Sequence, residues 1–136
     1  MKGSKFLSDL HTVDLAHPQY VMLTKPLVYY SRTLGVIVVP AGFVTDLESV
    51  PLLRGTSKRA GVIHDYLSRF DSKPCVNKQL AADIYLEAMK ARDIELGYAG
   101  LRYAIKRNVK VAVVRVAWGY FHKLPVKATF EEVCHA

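Results

Sequence analysis

Residues 35–67, GVIVVPAGFVTDLESVPLLRGTSKRAGVIHDYL, carry the change of structure on which the fold turns. The opening GVIVV is rich in β-branched side chains, which suit a pleated and half-buried surface, so it reads as a strand ending at Pro40. The closing KRAGVIHDYL has a different period: Ile63, Tyr66 and Leu67, with Phe70 beyond, recur at helical spacing. Between them lies a polar run containing Thr45, Asp46, Glu48 and Ser49. A chain that passes from sheet to helix through such a run is expected to be an α+β domain.

Working outward, YVMLTKPLVYY and GVIVVPAGF, separated by the turn-like SRTLG, predict two or three short antiparallel strands in one small sheet over about residues 20–50. Pro26 and Pro40 belong at strand ends or edges, because neither has an N–H for a ladder. The stretch of about 57–123 reads as three helices packed on that sheet. The first starts from Thr56 or Ser57 as N-cap and carries His64 and Asp65. The second runs from about Val76 to Arg92, and the third from Gly97 through Phe121, with Gly119 and Pro125 marking its end. Residues 126–136 are expected to be a loosely held tail.

The 136 residues suffice for one domain with its own core, and 51% hydrophobic against 23% charged residues excludes a disordered chain. The two cysteines, Cys75 and Cys134, lie far apart with no CxxC, which argues against a disulfide framework. The longest apolar stretch, Val111 to Trp118, is short and interrupted by Arg115, so no transmembrane segment is expected. The start has no apolar signal region, making synthesis in a cytoplasm the expectation. Nineteen Lys and Arg against twelve Asp and Glu, a formal +7, favour an anionic partner: nucleic acid, a phospholipid surface or an acidic protein.

His64 and Asp65 together offer a proton acceptor and a metal ligand. Asp83 lies on the second helix in a polar stripe with Gln79, Glu87 and Lys90. Either that stripe faces water, or it looks into a cleft where Asp83 orients the His64 imidazole. Asp46, crowded by Thr45, Glu48 and Ser49, either bonds its own backbone in a turn or belongs to a functional loop held on a rigid frame. Oxygens from Asp46, Asp65 and the nearby main chain suit calcium better than zinc, because His11, His17, His122 and His135 show no close spacing to His64. In the third helix Arg102, Lys106 and Lys110 recur every four residues beside Arg107. That is a basic ridge, either solvated or gripping lipid or nucleic-acid phosphates.

The ordered blocks VPAGFVTDLESVP, GVIHDYL and LAADIYLEAM, from Val39 to Met89, resemble a tailed-bacteriophage family of unknown function, DUF1353. Members are small phage-encoded proteins, which implies the same origin here. More distantly, the order of Asp46 with Ser49 and Pro51, then His64-Asp65, then Asp83 resembles the core of phospholipase A2 enzymes. This second resemblance implies that Asp46, Asp65 and the Leu47 carbonyl hold calcium, with Thr45, Glu48 and Ser49 in support. It makes His64 the general base and Asp83 its orienting carboxylate. The leading expectation is therefore a phage protein with a calcium-assisted hydrolase site acting on envelope lipid or another ester. The alternatives are a non-enzymatic virion component, in a tail tip or baseplate among other virion proteins, and a basic nucleic-acid or host-factor binder.

Overall fold

The β-branched run GVIVV emerges as one arm of a hairpin: β4 (Leu27–Ser31) pairs antiparallel with β5 (Gly35–Val39), from Leu27 opposite Val39 to Ser31 opposite Gly35. Leu27, Tyr29, Ile37 and Val39 point inward, whereas Val36 and Val38 face out. The Ser31 hydroxyl accepts from the N–H groups of Thr33 and Leu34, both at 3.1 Å, and so fixes the three-residue turn. Gly35 closes the turn at φ +83°, a backbone conformation that side chains resist. Pro26 and Pro40 flank the hairpin, outside the paired residues.

The computed structural model describes residues 3–16, 20–46, 58–69 and 71–116. Among these, β1 (Lys5–Phe6) adds to β4, giving a three-stranded sheet ordered β1-β4-β5. A second three-stranded sheet, ordered β2-β3-β6, joins β2 (Thr12–Asp14), β3 (Val21–Leu23) and β6 (Val44–Thr45). All pairings are antiparallel. The chain is thus α+β as expected, but with two small sheets in place of one, and with two strands N-terminal to Tyr20.

Three helices follow: α1 (Lys58–Leu67), α2 (Lys78–Glu95) and α3 (Leu101–Val116). Residues 70 and 117–136 fall outside the described set, and with them Phe70, the expected end of the third helix and the expected tail. The N-cap of α2 is Asn77, whose Oδ1 accepts from Leu80 N at 2.7 Å. Its C-terminus lies beyond the expected Arg92, where Gly97 takes φ +71°. Gly97 N–H bonds Ile94 O at 3.1 Å and Tyr98 N–H bonds Asp93 O at 2.8 Å, the paired closure of a Schellman motif. Cys75 is disulfide-bonded, although the spacing of the cysteines argued against a disulfide framework; the chain's other cysteine, Cys134, is not among the described residues. No helix among the described residues is long and apolar enough to cross a membrane.

α1 and α2 lie against the first sheet, burying Phe6, Leu27, Tyr29, Ile37 and Val39 with Ile63, Leu67, Ile84 and Met89. Within this core the Tyr29 hydroxyl needs a partner and donates to Glu87 Oε1 at 2.7 Å, while Thr33 Oγ1 donates to Glu87 Oε2 at 3.0 Å. Burial first, and the Glu87 hydrogen bond and charge next, push the Tyr29 phenol well above its ordinary pKa. The sign follows: the neutral phenol contributes stability below the ordinary value of 10.0, and that contribution is lost as the pH rises beyond it. The melting temperature of the wild type should accordingly fall more steeply above that pH than that of Tyr29→Phe. At neutral pH the variant should cost about 1 kcal/mol in urea unfolding.

Candidate functional site

Ala60 through Ser68 are buried without exception, so α1 has almost no solvent face. His64 and Asp65 are each 3% exposed. Successive residues of a helix diverge by about 100°, so the two side chains meet different walls. Asp65 looks toward the second sheet, where its Oδ2 accepts from the Oγ1 of Thr45, fully buried at the end of β6, at 2.6 Å. His64 looks toward α2, its ring 5.2 Å from that of Tyr85 and tilted by 40°, with Nε2 beneath the surface. The His64 carbonyl accepts from Ser68 N at 3.0 Å and Ser68 Oγ at 2.6 Å, which closes the helix end.

Asp46, the residue after Thr45, is half-buried. Leu47, Glu48 and Ser49 fall outside the described residues. Asp83 is exposed, together with Gln79 and Lys90. It precedes Tyr85 by two positions, about 200° around the helix axis, so it projects from the side of α2 opposite the ring that touches His64. Glu87 leaves the stripe for its bonds to Tyr29 and Thr33. The structure therefore joins Asp65 to Thr45 and His64 to Tyr85, and carries Asp83 on another face. Among the described residues, no three His, Cys, Asp or Glu side chains gather as a metal-holding group.

A second polar cluster lies between α2 and α3. Asp93 is buried, its Oδ1 accepting from Arg92 Nη1 at 3.0 Å and its Oδ2 from Arg107 Nη1 at 2.5 Å. Lys110 is 1% exposed, so the expected basic ridge does not run along an open face: Arg102 and Lys106 are exposed, but Arg107 and Lys110 turn inward. A buried carboxylate at the junction supplies the reason, since it draws cations toward it. Sequence reasoning passed over Asp93 and Arg92. The sequence places Tyr103, Arg107 and Lys110 on one face of the third helix, but nothing in their spacing marks that face as the inner one.

The family model for proteins of unknown function (DUF1353) matches residues 21–106, more than half of the chain, and the chain belongs to that family. No curated protein and no solved structure matches it.

The buried hydroxyl–carboxylate contact should dominate the energetics of this region. Thr45→Val leaves the Asp65 carboxylate short of a donor and should cost about 1–3 kcal/mol in urea unfolding. Asp83→Asn, at an exposed position, should stay within about 1 kcal/mol.

Proposed function

We propose that this DUF1353 chain is a non-enzymatic, self-associating structural protein, of the kind found in tailed-phage particles, in which the His64-Asp65 pair braces the interior. The observation that carries this reading is the outward face of α3. Leu101, Ile105 and Val109 are 76%, 52% and 46% exposed, and Ile94 near the end of α2 is 79% exposed. Monomeric surfaces scatter such residues singly, whereas three large apolar side chains at intervals of four form a stripe that needs a cover. A stripe of this kind can pair with its own copy about a twofold axis.

The interior pair fits the same reading. Asp65 is committed to Thr45 and the His64 ring to Tyr85, contacts that tie α1 to β6 and to α2. The phage setting rests on the likeness of the three sequence blocks described above.

A second reading is a calcium-assisted hydrolase of the phospholipase A2 type. It is favoured by the half-buried position of Asp46 directly after Thr45, whose hydroxyl touches Asp65, so that one chain crossing brings two acidic residues to the same junction. In that case Asp46 and Asp65 would hold calcium and His64 would take a proton from water.

Two measurements on the full chain separate the readings. Light scattering over rising concentration should show association that Ile105→Asp abolishes while the circular dichroism stays unchanged. Mixed phospholipid vesicles with calcium should release no fatty acid. Calcium-dependent release that His64→Gln abolishes would establish the hydrolase instead, and a monomer at every concentration would remove the structural reading.

A further inference from the structure

We propose that the recess between the C-terminal end of α2 and the inner face of α3 is a binding site for a small phosphate-bearing anion, either inorganic phosphate or a small phosphomonoester. The recess has a volume of about 270 Å³. That is close to the lower end of the roughly 300–1,000 Å³ of small-ligand sites, room for a phosphate with bound water or for a small phosphomonoester.

Its charge selects an anion. Among the described residues, four cations line it, Arg92, Lys106, Arg107 and Lys110, together with the carboxylate of Asp93. Asp93 occupies one Nη of each arginine. A guanidinium carries five N–H donors in a planar fork that matches phosphate oxygens, so one carboxylate does not exhaust the pair. Among the described residues, the buried Nε of Arg107 has no acceptor. A bound oxyanion would provide one.

The wall is also held in place before any ligand arrives. The Tyr98 and Tyr103 rings stack at 4.9 Å with 11° between their planes, and the Arg92 guanidinium lies 5.0 Å above the Tyr98 ring. Tyr98 is anchored in turn by its N–H to the Asp93 carbonyl. Donors fixed in this way lose little freedom on binding.

A polyanion fits less well. Nucleic-acid backbones are gripped by cations set along an open surface. Here Lys110 is buried, and the exposed cations of α3, Arg102 and Lys106, alternate with exposed Leu101, Ile105 and Val109 instead of forming an unbroken basic track.

The test is calorimetric titration of the full chain with inorganic phosphate and, separately, glycerol 3-phosphate, at ionic strength held constant with sodium chloride. Saturable binding of one anion per chain is expected, weakened about tenfold in Lys106→Gln and lost in Arg107→Gln. Lys25→Gln, far along the chain on an exposed position, should bind as the wild type does. Tighter binding of glycerol 3-phosphate than of phosphate would identify an ester as the ligand, and equal binding the free ion. Should Arg107→Gln fail to fold, the exposed Lys106→Gln still decides the matter. Absence of saturable binding, wild-type affinity in Lys106→Gln, or binding of a DNA duplex without binding of either small anion would overturn the proposal.

Discussion

A carboxylate inside a helix that has almost no solvent face is the constraint around which this fold is arranged. Asp65, 3% exposed in the last turn of α1, must find its donors within the protein, and the Thr45 hydroxyl supplies one. Because Thr45 ends β6, this one bond joins the second sheet to the central helix. Glu87 does the equivalent for the first sheet, accepting from Tyr29 on β4 and from Thr33 in the hairpin turn. Both sheets are therefore tied to helices by a hydroxyl donating to a carboxylate. Such contacts add little net stability when made and are expensive when half broken, which favours one arrangement over its near neighbours.

The parts of this architecture that were legible in the sequence are those long enough to show a helical period or a sustained β-branched composition. GVIVV is a run of β-branched residues long enough to read as a strand, and Pro26 and Pro40 mark the limits of the hairpin. The second sheet was not legible because its strands are two or three residues long, too short for alternation to register. The same holds for β1. The second helix was expected to end at about Arg92, yet α2 continues to Glu95, because the glycine able to reverse the chain comes only at Gly97.

The candidate pair shows the same division. Sequence placed His64 and Asp65 on a helix, and periodicity offered a water-facing stripe as one reading of Asp83, which the exposed position of that residue matches. What no spacing could show was which wall each side chain would meet. α3 shows the difficulty most sharply. Its apolar stripe and its basic stripe are equally periodic, and the usual preference would bury the first. Asp93 changes the balance: with a buried carboxylate waiting on α2, the side that turns inward is the one bearing Tyr103, Arg107 and Lys110.

The outer arm of the hairpin has a consequence of its own. β5 ends its sheet, so among the described residues one row of its amides and carbonyls meets no neighbouring strand, beside the exposed Val36 and Val38. Such a margin invites a foreign strand to add in register, the first step toward aggregation. Length and composition limit the hazard here. The margin extends only five residues before Pro40, which has no amide hydrogen to offer, so an incoming strand would find a short template with a blunt end.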